Sequence, residues 1–281
     1  MIKLIALDLD GTLLDDHKKI RPVTRQVLER AAEQGIEVVP ATGRPYRGLC
    51  SEAEGLKGVN YVLTTNGGGI YERKTGTCIY QDCMKLDKLL PLFMQLEELE
   101  VMADAFVKGD SYMTRRKVPL IDRINGPEEI KEYLRISRTV VEDQAAALRE
   151  RGDDVEKLTI NFALDGQGRR IDYDAAWKIL SDFPEFLPVS GGMQNIEVTA
   201  EGVSKASALL WLGAYLKIKP EEMIAFGDSG NDIDMLRTAG IGVAMGNAEE
   251  EAKAAADYVT LANTEDGIPH ALKKFVPELF H

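Results

Sequence analysis

The sequence predicts an α/β protein: a doubly wound parallel-sheet core with a second α/β domain inserted into it. Short apolar runs alternate with helical patterns through roughly the first third of the chain, and the same rhythm returns near its end. Between them, over residues 83–190, the texture changes to amphipathic helices and separated strands. The expected organisation is therefore a core built from 1–82 and 191–281, with 83–190 spliced in by two crossings.

Residues 2–9 read as a buried strand. Residues 22–34 open with Pro22, carry Val27, Leu28, Ala31 and Ala32 at helical spacing, and stop at Gly35. Residues 37–41 form the next strand, so the opening is a βαβ unit, whose two strands run parallel. Tyr61–Thr64 is a third strand, and the turn Asn66-Gly67-Gly68-Gly69 leads into a hairpin through Ile79 and Tyr80. In the insertion, helices are expected over 86–99, 128–134, 144–149 and 173–182, with strands at Val101–Val107 and 157–163. The core then resumes with strand 196–199, helix Lys205–Leu216, strand 223–226, helix 232–239, strand Ile241–Ala244, helix 249–256 and strand Tyr258–Val259.

Composition narrows what such a chain can do. Of 281 residues, 44% are hydrophobic and 28% charged, which suits a globular protein with a substantial core. Against 34 Lys and Arg stand 46 Asp and Glu, and the formal net charge of -12 disfavours a broad nucleic-acid surface. It also repels anionic ligands, so a phosphate site must bring its own positive potential. Cys50, Cys78 and Cys83 form no CxxC pair, and three His cannot complete a zinc site of familiar spacing. The cysteines read as reduced thiols of a cytoplasmic protein. Residue 2 opens a strand with no leader pattern before it, and the longest apolar stretch, 209–216, is far below the roughly 20 residues a bilayer requires. Neither a signal peptide nor a membrane anchor is expected.

Chemistry concentrates in four segments. Asp8-Leu9-Asp10-Gly11-Thr12-Leu13 places two acids at the carboxyl end of a buried strand, where open α/β sheets bind ligands. Two residues apart in extended chain, both project to one side and repel unless a cation or shared proton intervenes. Gly227-Asp228-Ser229-Gly230-Asn231-Asp232 repeats the arrangement, and its oxygen-rich, cysteine-free donors suit Mg²⁺. The bland alternative is a helix cap by Ser229, Asn231 or Asp232, which is compatible with catalysis. Thr42-Gly43-Arg44 follows the second strand and offers a hydroxyl and main-chain N–H groups to a phosphate. Lys205 opens a helix after Gly202-Val203-Ser204; alone it would read as a solvated surface residue.

Taken in order, these segments resemble the four motifs of the haloacid dehalogenase superfamily, in its Cof-type, sugar-phosphatase-like branch with a large α/β cap. The turn Ala244-Met245-Gly246-Asn247-Ala248 and the tail Asn263-Thr264-Glu265-Asp266-Gly267-Ile268 resemble the same branch. The resemblance implies a Mg²⁺-dependent phosphatase of a small phosphorylated metabolite. Asp8 would be the nucleophile and Asp10 the general acid and base. Asp8, Asp228 and the main-chain carbonyl of Asp10 would hold the metal. Leu9, Thr42, Gly43, Lys205 and Asn231 would bind the phosphoryl group, Arg44, Asn66 and Gly67 would face the substrate, and Asp232 would orient Lys205 or metal-bound water. Ala206 stands where such relatives usually carry glycine, and Gly68 where they usually carry alanine.

Magnitude explains why so many parts are needed. Phosphate-monoester hydrolysis can need acceleration of order 10²¹, and acid–base help supplies only about 10² to 10⁴ of it. Charge on the phosphoryl oxygens must be neutralised as well. Two other readings stand beside the phosphatase: a phosphomutase of the same superfamily, and a phosphometabolite-binding regulator without turnover. A third would make the insertion a partner-binding module, but Thr114-Arg115-Arg116-Lys117 and Glu128-Glu129 read as solvated faces. His17, His270, His281, Trp177 and Trp211 are expected in core or surface roles.

Overall fold

The computed structural model describes residues 1–191 and 195–280. The first strands are β1 (Leu4–Leu7), β2 (Glu37–Pro40), β3 (Tyr61–Thr64), β4 (Gly69–Glu72) and β5 (Thr77–Gln81). Then follow β6 (Val101–Val107), β7 (Asp110–Thr114), β8 (Thr139–Val141), β9 (Lys157–Phe162), β10 (Phe186–Ser190) and β11 (Ile196–Ala200). The chain closes with β12 (Met223–Gly227), β13 (Ile241–Ala244) and β14 (Tyr258–Val259). It divides into two compact units, Met1–Arg44 with Leu49–Tyr80 and Val203–His281, and Pro45–Gly48 with Gln81–Gly202.

In the first unit a parallel sheet runs β14-β13-β12-β1-β2. All four residues of β1 and all five of β12 are buried, as expected for strands covered on both faces. Beyond β2, Ala41 bridges Leu63 in parallel, and β3, β4 and β5 form the expected hairpin sheet. The register matters most for function. Leu7 pairs with Phe226 on one side and Pro40 on the other, so the residues after β1, β12 and β2 emerge together at one edge. The chain also reverses its direction of winding at β1, which is where open sheets form a crevice.

The second unit is a six-stranded sheet, β10-β11-β9-β6-β7-β8. One face is apolar, with Val101, Ala103, Ala105, Leu158, Ile160, Ile196 and Val198 packed against helices Leu86–Glu97, Gln144–Arg151 and Tyr173–Leu180. Met102 and Met113 on the opposite face are covered by Leu120, Ile121, Ile124 and Leu134. Beyond them that face carries Phe106 and the polar side chains Asp104, Thr159, Asn161 and Asn195.

Two expectations are corrected here. Strand 196–199 belongs to the second unit's sheet, where Ile196 pairs with Ile160 and Ser190, so that unit extends through Gly202 rather than ending at 190. Its alternation of Ile196 and Val198 with polar neighbours is the pattern of a strand with one apolar face, unlike the continuous apolar runs of β1 and β12. Lys117, expected on a solvated face, is buried; its Nζ donates to Glu97 O at 2.9 Å and to Leu99 O, satisfying carbonyls at the end of helix Leu86–Glu97. Among the described residues, no helix is long and apolar enough to cross a membrane.

Asp104 Oδ2 accepts a 3.0 Å bond from Arg138 Nε, and both side chains are buried. Burial raises the Asp104 carboxyl to about 6, with Arg138 opposing the rise. Because this value lies above the unfolded one, the folded state holds the extra proton, and stability from this group falls as pH rises from about 4 through 6. Relative to an Asp104→Asn variant, the wild type should therefore gain about 1 kcal/mol between pH 7.5 and 5 in chemical denaturation. A pH-independent difference would contradict the shift.

Candidate active site

The four segments converge at the shared edge through the sheet register. Asp8 N donates to Phe226 O at 3.0 Å, Ala41 N to Leu7 O at 2.8 Å, and Met245 N to Gly227 O at 3.0 Å, so each loop leaves from a ladder position. Asp8 is buried, and its Oδ1 accepts a 2.6 Å bond from Lys205 Nζ. The same ammonium donates to Asp232 Oδ1, also at 2.6 Å.

Lys205 is the first residue of helix Lys205–Leu216 and is 1% exposed. Ser204 caps that helix reciprocally with Ser207, the Ser204 N–H donating to Ser207 Oγ at 3.0 Å and Ser207 N–H to Ser204 Oγ at 3.2 Å. A cation in the first turn opposes the helix dipole, so this placement makes sense only through the two acids it bridges. Burial acts to lower the Lys205 ammonium's affinity for its proton, but Asp232 and Asp8 reverse that and hold it above its ordinary range.

Asp228 stands next to this pair. Its Oδ1 accepts a 2.8 Å bond from Thr12 Oγ1. Gly11, at φ +94°, passes so close that a Cβ there would lie 2.4 Å from Asp228 Oδ2. A side chain at position 11 is thus excluded both by conformation and by the acid. Asp232 Oδ2 accepts from Asp228 N at 3.0 Å and Ser229 N at 3.1 Å, so this acid caps the start of its loop while its other oxygen faces Lys205. Carboxylate oxygens of Asp8, Asp228 and Asp232 lie within 4.8 Å of one another, a cluster that could hold a metal ion.

Burial pushes the Asp8 carboxyl well above its usual range; Lys205 opposes this, and Asp232 and Asp228 add to it. Asp228 is likewise raised by burial, against the Thr12 bond. One lysine does not balance three clustered acids, and a hard divalent cation is what this oxygen-only donor set would accommodate. Asp232 has both oxygens engaged by Lys205 and main-chain amides, which leaves Asp8 and Asp228 as the better-placed donors.

Asp10 is held differently. Arg44 Nε donates to Asp10 Oδ2 and Arg44 Nη2 to Asp10 Oδ1, each at 2.8 Å, and Lys18 Nζ donates to Oδ1 at 2.8 Å. Burial works to raise this carboxyl, but the Arg44 guanidinium and then Lys18 outweigh it and hold it at about 2. Thr42 is buried, and its Oγ1 accepts from Arg44 N at 3.1 Å; Gly43 follows it on the loop that leaves β2, and Leu9 lies on the loop that leaves β1.

Asn66 and Gly67 have scaffold roles in this arrangement. Asn66 N donates to Thr42 O at 3.0 Å, and Asn66 Oδ1 accepts from Asn231 Nδ2 at 3.1 Å, tying the second and fourth segments together. A Cβ on Gly67, at φ +102°, would lie 2.1 Å from Ser204 O, so glycine lets this turn meet the start of the Lys205 helix.

Several contributors had no role assigned from sequence. Thr12 sat inside the first segment, and Asn247 and Asn263 inside turns already singled out. Asn247 Nδ2 donates to Gly11 O at 2.8 Å and Asn263 Nδ2 to Leu14 O at 2.9 Å, pinning the loop after β1. Lys18 lay in the charged run Asp15-Asp16-His17-Lys18-Lys19 and carried no signal. His17 and His270 stand outside the site, with His270 Nδ1 3.2 Å from Thr260 Oγ1, and His281 lies outside the described residues. Trp211 stacks on Tyr215, Trp177 packs against the second unit's core, and the three cysteines form no disulfide among the described residues.

A family profile described as haloacid dehalogenase-like hydrolase matches residues 5–272. The chain is similar to the 5-amino-6-(5-phospho-D-ribitylamino)uracil phosphatase YcsE of Bacillus subtilis (strain 168), at 32% identity over 277 residues, covering 98% of this chain and 96% of the relative. Among solved structures it resembles a haloacid dehalogenase-like hydrolase from B. subtilis, with TM-score 0.82, 30% identity, and 97% and 99% of the two chains covered. It also resembles the haloacid dehalogenase subclass IIB sugar phosphatase BT4131, with TM-score 0.78, 27% identity, and 98% and 99% covered.

Proposed function

The chain belongs to the haloacid dehalogenase-like hydrolases, and on that footing we propose that it dephosphorylates a sugar phosphate or phosphorylated cofactor through a covalent intermediate on Asp8. It is a phosphatase and acts on small phosphorylated metabolites. The observation that carries the finer reading is the buried Lys205 ammonium set between Asp8 and Asp232, with Asp228 alongside.

An Asp8 carboxylate oxygen attacks phosphorus while the bond from phosphorus to the leaving oxygen breaks, and Asp10, once released from Arg44 and Lys18 so that it can carry a proton, gives that proton to the leaving oxygen, releasing an alcohol. Water then attacks the aspartyl phosphate, Asp10 takes its proton, and phosphate leaves with Asp8 restored. Lys205, the Thr42 hydroxyl, Asn231 and the main-chain N–H groups of Leu9 and Gly43 stabilise charge on the phosphoryl oxygens. Asp8, Asp228 and the Asp10 carbonyl would hold Mg²⁺, which when bound supplies further positive charge there and relieves the repulsion between acids. Asp232 orients Lys205.

The second unit is read as the cap that selects the leaving group. What supports this is its polar sheet face, where Asp104 Oδ1, Thr159 Oγ1, Asn161 Nδ2 and Asn195 Oδ1 are buried without hydrogen-bond partners among the described residues. Such atoms are costly unless something pairs with them, and the hydroxyls of a sugar or polyol would.

A phosphate-release screen over phosphometabolites tests the reading. At least one sugar phosphate or phosphorylated cofactor should release free phosphate in Mg²⁺, and EDTA should cut that rate at least about 10²-fold, reversibly on adding Mg²⁺. Turnover undiminished in EDTA would refute the metal assignment, and phosphate relocated on the sugar would indicate a mutase.

A further inference from the structure

We infer that Asn66 is the positioning residue for Asn231, fixing the side-chain amide that donates to the phosphoryl oxygens. This rests on the proposed role of Asn231 in holding that group. Asn66 Oδ1 accepts a 3.1 Å bond from Asn231 Nδ2, and Asn231 Oδ1 accepts a 2.9 Å bond from Ser229 Oγ. An amide nitrogen carries two hydrogens, so these bonds engage the carbonyl and one N–H of Asn231 and leave its second N–H for a ligand. The terminal torsion of an asparagine is broad, and an amide held at neither end would turn freely. Pinned at both ends, it presents a donor that needs no reorganisation when charge develops on the phosphoryl group.

Asn66 is itself fixed by its turn. Thr65, Asn66 and Gly67 lie consecutively at positive φ, 52°, 57° and 102°. For a β-branched threonine that conformation is an outlier, and it persists only where neighbouring structure imposes it. Here Thr65 N donates to Arg44 O and Asn66 N to Thr42 O, both at 3.0 Å, while Gly67 passes against Ser204 O at the start of the Lys205 helix. The turn therefore meets the second segment through its main-chain amides, the third through Gly67 and the fourth through the Asn66 side chain. Glycine at position 66 would serve the left-handed backbone as well as asparagine does. The bond to Asn231, 165 positions along the chain, draws on the side chain.

That difference separates positioning from turn formation. Asn66→Gly and Asn66→Ala delete the same side-chain bond, but glycine accepts positive φ and alanine resists it. Phosphate release by each, by Asn231→Ala and by each Asn66 change combined with Asn231→Ala would be measured on p-nitrophenyl phosphate and on a sugar phosphate accepted by the wild type, with inhibition by inorganic phosphate alongside. Asn231→Ala should lose about 10²-fold in kcat/KM on both esters. Both Asn66 variants should lose about 10-fold, equally on the two esters, with inorganic phosphate inhibiting more weakly. Each double variant should be no worse than Asn231→Ala alone, because Asn66 acts through it. Either Asn66 variant suffices for this comparison if the other does not fold. Wild-type rates in the Asn66 variants, losses that add in the double variants, or a loss that follows the backbone and is greater for alanine than for glycine would overturn the inference. Asn231→Ala is the control for the underlying reading: if it keeps wild-type rates and wild-type phosphate inhibition, Asn231 does not hold the phosphoryl group, and the positioning role falls with it.

Discussion

Asp8→Asn should leave a folded protein that releases phosphate at least about 10⁴-fold more slowly than the wild type, on every substrate that the wild type accepts. The amide is nearly isosteric but does not attack phosphorus. Its effect should be independent of the leaving group, which distinguishes a lost nucleophile from a lost proton donor. The change also removes one of the clustered negative charges around Lys205, and since burial and neighbouring acids make that charge unfavourable, the thermal midpoint should be unchanged or raised. Turnover within about 10-fold of the wild type would end the covalent reading.

Lys205→Met should be damaging in both senses at once. Catalysis loses a preorganised cation directed at the phosphoryl group, a loss of about 10² to 10³ in kcat. Stability falls too, because Asp8 and Asp232 would be left buried without the ammonium that now lies 2.6 Å from each, a situation that costs about 3 to 5 kcal/mol. The stability deficit should narrow toward pH 5, where the uncompensated Asp8 carboxyl, already raised by burial, can take up a proton. Denaturation curves at two pH values, with kcat measured on the folded fraction, would check this. A variant as stable as the wild type would show that Lys205 is not the counter-charge that its geometry makes it.

Much of this site could be read without coordinates. Asp8, Asp10, Lys205 and Asp228 lie in segments whose residue types and turn glycines announce strand ends and helix starts. Helix Lys205–Leu216 and strands Val101–Val107 and Ile241–Ala244 have the limits that their periodicity predicts. Other features were harder. Strands β7, β8 and β10 are short, and their alternation does not stand out from the surrounding loops. That Arg44 forks onto Asp10 had no local signal, because a basic residue after Thr42-Gly43 is equally suited to a phosphate or a carboxylate.

What the sequence determined by itself is many of the helices and strands and the four reactive segments, since hydrophobic periodicity, capping residues and glycine turns act over a few residues. Only the tertiary structure decided which sheet Ile196–Ala200 joins, that Lys117 is buried, that Lys205 bridges Asp8 and Asp232, and that Arg44 forks onto Asp10. Those outcomes depend on strand register and on side-chain distances between residues far apart in the chain, where a shift of one position would exchange every inward group for an outward one.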